Sequence, residues 1–215
     1  MSFNVHFTSY PELINLFEEI FIYQTYKFTS DDPHPVIIDC GSNIGLSVMY
    51  FKMTTPSSVV LAFEPDGETF GLLTKNIREN DLKNVSLYNF ALRDFETETT
   101  LYKNNQSLTS SLYNNPGKQK EEIVLTKKLS SYIEKKVKLI KIDVEGSELA
   151  IIDDIISSNK VELVEKLIIE YHPVITRVPA EEIMSRLRVN NFKCELIPDQ
   201  LHPGATEVML YCERS

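Results

Sequence analysis

No run of 18 apolar residues occurs in the 215-residue chain, so no segment is expected to cross a membrane as a helix. Basic charge is also scarce. Against 31 Asp and Glu stand 22 Lys and Arg, and a net charge of −9 lacks the positive footprint that a nucleic-acid partner usually needs. Only three cysteines are present, Cys40, Cys194 and Cys212, and no two have C-x-x-C spacing. They read as reduced thiols in or near the core of a cytosolic protein. The first residues lack the basic region, apolar stretch and cleavage site of a secretory leader, which makes the cytoplasm the expected location.

What is present is organised around residues 36–45. Val36, Ile37 and Ile38 are branched and apolar, as in a buried strand, and Asp39 stands where the strand runs out. Gly41 and Gly45 bracket a turn around Asn43, and residues 46–51 continue with helical character. A strand, a Gly-containing turn and a helix start make a nucleotide-binding corner. The missing side chains let the backbone approach a ligand, and free N–H groups are expected to face it. The spacing G-x-x-x-G differs from the G-x-G-x-x-G of dinucleotide sites.

Further strands are expected at residues 59–63, 85–90, 137–142 and 167–169, with helices at 67–80, 149–156 and 180–190 between or after them. This alternation indicates a parallel sheet covered on both faces. Residues 192–197 and 207–212 read as an antiparallel hairpin at its edge. The chain suits one domain, 1–215. Within it, residues 1–35 supply a helix and a loop, and 97–126 a hairpin-like insertion. The polar loop 104–117 of that insertion is expected to form a mobile lid or rim over the acceptor side. The helix over 11–24 is amphipathic, suited to packing on the domain or else to a second copy or a membrane surface, though its acidic polar face disfavours an anionic membrane. Residues 118–141 hold eight lysines against three glutamates, read mainly as a solvated face.

Polar groups recur where successive strands end: Asp39, Glu64, Asn89, Asp143 with Glu145, then Glu170 with His172. In an open parallel sheet that edge binds ligands. Glu64, roughly twenty residues past the glycine turn, is placed to accept both hydroxyls of a ribose. That mechanism serves NAD and S-adenosylmethionine alike, so a nicotinamide-dependent enzyme and a non-catalytic nucleotide-binding protein remain alternatives. The glycine spacing and the antiparallel finish favour the methyl donor.

The stretches VIIDCGSNIGLS, AFEPDGETFGLLTKNI, NFAL, LIKIDVEGSELAII and IIEYHP, in this order over residues 36–173, resemble the FkbM-type methyltransferases. KIDVEGSE is the most specific of them. The resemblance implies an α/β, Rossmann-like class I methyltransferase sheet, mostly parallel with an antiparallel C-terminal hairpin and helices on both faces. It implies S-adenosylmethionine as donor, S-adenosylhomocysteine as product, and O-methylation of a hydroxyl on a sugar or secondary metabolite. The expected partner is thus a small-molecule or glycan acceptor. Carried over, Asp39, Gly41 and Gly45 would contact the methionine end, Glu64 would hold the ribose, and Asn89 with Ala91 would border the adenine. Asn43 and Pro65 complete the cofactor-binding set, and Asp143 would sit near the sulfonium and the acceptor. His172 is the candidate base, because an unperturbed imidazole titrates near working pH. Glu145 and Glu170 are candidates to orient its ring or hold the acceptor. Asp143, Glu145 and Glu148 with His172 could form an oxygen-rich ion site, but these residue types are equally at home in a metal-free active site, and no metal is expected.

Overall fold

The computed structural model describes residues 3–103, 110–113, 120–198 and 207–215. After an N-terminal helix, α1 (Tyr10–Phe17), come β1 (Val36–Cys40), α2 (Leu46–Thr54), β2 (Val59–Phe63), α3 (Gly67–Glu79) and β3 (Val85–Tyr88). The chain then leaves the main sheet through β4 (Ala91–Leu92), β5 (Glu98–Lys103), β6 (Ser110–Ser111) and β7 (Lys120–Lys127). It returns with β8 (Val137–Ile142), α4 (Glu148–Ser157), β9 (Val164–Tyr171), α5 (Pro173–Thr176), α6 (Ala180–Val189), β10 (Phe192–Pro198) and β11 (Val208–Arg214).

The main sheet has the order β10-β11-β9-β8-β1-β2-β3. Its five strands from β9 to β3 pair in parallel, and β11 runs antiparallel to both β9 and β10. This is the expected α/β sheet with its antiparallel finish. Connections run outward in opposite directions from β1 and β8, so a crevice opens between their carboxyl ends, the switch point where such sheets bind ligands.

Side-chain alternation along the strands divides the core. Ile38, Ile140, Leu167 and Ile169 face one cluster, with Ile152 and Ile155 of α4 and Leu187 of α6. Ile37, Leu139 and Ile168 face the other, with Val48 and Phe51 of α2 and Leu73 of α3. Each fully buried branched chain contributes about 1.5–3 kcal/mol, and strands buried on both faces explain the near-continuous apolar runs.

The insertion forms its own four-stranded sheet, β4-β7-β5-β6, over a small core of Ala91, Leu101 and Val124. Lys103 fastens it to α3 by reaching the carboxylates of Asp66 and Glu122. Of the polar loop expected at 104–117, Ser110–Tyr113 are described; residues 104–109 and 114–117 lie outside the described residues.

Two expectations change. The N-terminal helix is shorter than 11–24: α1 gives way at Glu18 to a π-helical turn, Glu18–Ile22. No residue of α1 is buried, and Tyr10 and Phe17 keep 70% and 47% of their surface. The cysteines are not all reduced thiols. Cys194 and Cys212 occupy directly opposed positions on β10 and β11 and form a disulfide, whereas Cys40 is free and buried. Disulfides are rare in a reducing cytosol, so the cysteines no longer support the cytoplasmic expectation. Among the described residues no helix is long and apolar enough to cross a membrane.

Candidate active site

The glycine turn is closed on itself. Gly41 (φ +83°) and Ser42 both donate their N–H to the Phe63 carbonyl, at 3.0 and 2.9 Å. Asn43 N–H donates to Glu64 Oε2 at 3.0 Å, Ile44 N–H to the Asn43 side-chain oxygen at 2.7 Å, and Gly45 N–H to Ser42 O at 2.8 Å. The free N–H groups expected from the motif are therefore engaged within the turn, because β2 ends beside it and supplies acceptors. Gly41 and Asn43 line the cavity, but the space a Gly41 Cβ would take is filled by the Asp143 carbonyl.

A cavity of about 220 Å³ opens over the ends of β1, β2, β8 and β9, several times the ~30 Å³ share of one water molecule. Of the residues expected at the site, Gly41, Asn43, Glu64, Pro65, Ala91, Asp143, Glu145 and Glu170 line it. Its walls differ in character. Phe63, Phe90, Leu92, Leu101 and Leu112 form an apolar side, whereas Glu19, Asp143, Glu145 and Glu170 form an acidic one. The insertion supplies Leu92, Leu101 and Leu112 of the apolar side, and Ser111 Oγ donates to the Glu145 carbonyl at 2.6 Å.

The structure brings four other expected residues behind the wall rather than into it. Asp39 is fully buried; Oδ2 accepts from Ser47 Oγ at 2.6 Å and Oδ1 lies 3.4 Å from Lys141 Nζ. Gly45 starts α2 at φ +93°, where an added Cβ would meet Leu73 Cδ1 at 2.7 Å. Asn89 donates its amide to the carbonyls of Glu64 and Pro65 at 2.9 and 3.0 Å, fixing the end of β2. His172 is buried beneath the acidic wall.

Glu64 lies between the glycine turn and the cavity. It is 6% exposed, Oε2 takes the Asn43 N–H, and Oε1 takes the Asp66 N–H at 2.9 Å. Burial pushes its carboxyl up to about 7 despite these two hydrogen bonds. Each oxygen retains further acceptor capacity toward the cavity.

His172 is not poised as a neutral base, which corrects the sequence expectation. Burial alone would lower its pKa, but Nδ1 lies 2.8 Å from Glu148 Oε1, and Glu145 and Asp143 add their negative charge. Together they push the imidazole up to about 10, so the ring is an imidazolium at neutral pH. Glu148 is itself fully buried and also accepts the Gly146 N–H at 2.9 Å. Glu170 is held well above the usual carboxylate range by burial and by the charges of Asp143 and Glu19.

Three contributors escaped the sequence reading. Lys141, counted there within a lysine-rich run, is 2% exposed, donates to Gly41 O at 2.7 Å and lies 3.3 Å from Asp143 Oδ2. Burial would lower its ammonium, but Asp143, Asp39 and Glu170 hold it above its ordinary value. Its signal was its place in a strand two residues before Asp143, on the same side. Leu16 of α1 and Glu19 of the π-helical turn line the cavity itself. Nothing in the local sequence marks them.

Comparison with known proteins agrees with this architecture. A model of the methyltransferase FkbM domain matches residues 39–194. Methyltransferase 1 of Beauveria bassiana is 29% identical over 178 residues, covering 71% of each protein. Among solved structures, a Streptococcus mutans protein described as a methyltransferase in complex with SAH superposes with a TM-score of 0.56 at 10% identity, over 97% of this chain and all of the other. An rRNA methylase from Streptococcus thermophilus gives 0.53 at 11% identity, over 85% of this chain and 88% of that one. At such identities the likeness is one of fold.

Proposed function

The chain belongs to the FkbM methyltransferase family, and on that premise we propose that it moves the methyl group of S-adenosylmethionine to a hydroxyl of a small-molecule or glycan acceptor. The observation that carries this reading is Glu64, a buried carboxylate aimed from the end of β2 into a strand-end cavity, with acceptor capacity to spare. It is suited to the paired hydroxyls of a ribose. The apolar wall, with Phe90 and Ala91, suits an adenine, and Gly41 and Asp143 suit the methionine end near the switch point. An acidic wall and a net charge of −9 favour an uncharged polyhydroxyl acceptor over a nucleic acid.

In this reading the acceptor oxygen attacks the methyl carbon. The O–C bond forms as the C–S bond breaks, whose electron pair returns to sulfur and cancels the sulfonium charge. The hydroxyl proton passes to a carboxylate on the wall, Asp143 or Glu145. An ordinary carboxylate is a far weaker base than an alkoxide and cannot hold the proton of a free hydroxyl. The proton therefore moves only as the O–C bond forms.

Glu64→Ala is expected to weaken S-adenosylhomocysteine binding by about 2–4 kcal/mol, the loss of charge-assisted hydrogen bonds. It also leaves the Asn43 and Asp66 N–H groups without acceptors, so the fold loses stability too, contrary to what the sequence suggests. Glu64→Gln keeps one acceptor oxygen and separates the two effects. Wild-type affinity is expected to fall as pH drops below about 7, where the carboxyl takes up a proton and gives up acceptor capacity. Calorimetric titration checks both; unchanged affinity in a folded Glu64→Ala variant would remove Glu64 from the donor site.

A further inference from the structure

We propose that Asp143, Glu170 and His172 hold a divalent cation at the acidic wall, beside the position of the transferred methyl group. Its use rests on the methyltransferase reading of the same cavity; its existence does not.

Asp143 follows β8, Glu170 lies near the end of the adjacent parallel strand β9, and His172 follows β9. One donor atom from each lies within 4.8 Å of the other two. In an octahedral shell with bonds of about 2.1 Å, adjacent ligands stand about 3.0 Å apart and opposite ones about 4.2 Å, so the three donors draw together as the ion enters. Two carboxylates and one imidazole, with waters completing the shell, suit Mn²⁺ better than an all-oxygen calcium cage or a thiolate zinc site.

The imidazole is oriented as a ligand is. Its Nδ1 is occupied by the buried Glu148 carboxylate at 2.8 Å, which fixes the ring and turns Nε2 toward the carboxylate side, 3.9 Å from Glu145 Oε2. A carboxylate behind a histidine is the usual support of a metal-bound ring. A separate observation points the same way. Ser147, 2% exposed, lines the cavity with Asp143 and Glu170, yet its hydroxyl has no hydrogen-bond partner among the described residues. A buried hydroxyl without a partner is costly, and the water shell of a bound cation would satisfy it.

The cation would supply what the wall carboxylates lack. A hydroxyl bound to it loses its proton far more readily than in water. Glu145 takes that proton, the resulting oxyanion takes the methyl group, and sulfur keeps the electron pair of the broken C–S bond. Open coordination positions favour an acceptor with two adjacent oxygens, a vicinal diol or a hydroxy-carbonyl unit. Metal at Nε2 requires the neutral ring, so binding expels the His172 proton.

The test is a titration of the whole chain, stripped with EDTA and then freed of it, with MnCl₂, following the loss of the free Mn²⁺ paramagnetic resonance signal. One saturable site per chain is expected. Glu170→Gln and His172→Gln should each weaken it by roughly 10–100-fold, as removal of a ligand or its support does. Thermal melts establish that each variant is folded. No saturable binding by the wild-type chain at millimolar Mn²⁺, or binding that both folded variants leave unchanged, would overturn the proposal. S-adenosylhomocysteine affinity measured in EDTA reports on the methyltransferase reading alone, so the two can fail separately.

Discussion

Gly41→Ala is expected to lower stability by about 4 kcal/mol or more and to abolish the donor site with it. Gly41 sits at φ +83°, where a Cβ is strained by about 1–2 kcal/mol before any contact is made. The larger effect is overlap. A Cβ there would lie 1.8 Å from the Asp143 carbonyl oxygen and 2.9 Å from its carbonyl carbon. Both are backbone atoms, so no rotamer relieves the clash. The ends of β1 and β8 must part, at the point where Asp143 N–H donates to Cys40 O and Lys141 bridges to Gly41 O. In a chain of this size each kcal/mol shifts the melting temperature by about 2–4 °C, so a fall of about 8–16 °C is the minimum. Gly71, on α3 with open space around its Cα, is the control: alanine there should be neutral or stabilising by up to about 1 kcal/mol. A Gly41→Ala protein that melts with the wild type would contradict the close approach of these two strands.

Glu148→Ala is expected to cost about 3–5 kcal/mol, the range for removing one partner of a buried ion pair. It strips the His172 imidazolium of the acceptor at Nδ1 and leaves the Gly146 N–H unsatisfied. The pair also leaves a signature in pH. His172 titrates at about 10 in the folded chain and near 6.5 when unfolded, facing Glu148, Glu145, Asp143 and Glu170. A raised imidazole pKa adds stability that is complete below about 6.5 and is lost as pH rises through about 10. Glu64 acts in the same direction at lower pH. Its carboxyl is raised from 4.5 to about 7, so the folded state holds its proton longer and stability falls between those values. In EDTA and without donor, denaturant unfolding should therefore show stability declining from about pH 5 to pH 10. Glu148→Ala should flatten the upper part of that decline. A wild-type curve that rises between pH 7 and 10 would refute the assignment.

The sheet was legible because buried parallel strands are written as local apolar runs, and the runs at 36–38, 59–63 and 167–169 each announce one. The carboxylates that end them were legible for the same reason. Whether such a residue faces the cavity or lies beneath it depends on what the neighbouring strand brings. Asp39 pairs in register with Lys141, which is distant in the sequence, and that lysine draws it into the interior. His172 has the composition of a neutral base and the surroundings of an imidazolium, because Glu148 reaches it from another element. The disulfide followed from a hairpin that the sequence did suggest, but the facing of Cys194 and Cys212 needed its register. Glu19 reaches the cavity only through the packing of the N-terminal segment, which no motif encodes.

The central claim is that the cavity over β1, β2 and β8 is a site for S-adenosylmethionine. Its most direct test is calorimetric titration of the whole chain with S-adenosylhomocysteine and, separately, with NAD. One S-adenosylhomocysteine per chain is expected, weakened in Glu64→Ala, with no measurable heat from NAD. Saturable NAD binding without binding of S-adenosylhomocysteine would contradict the account.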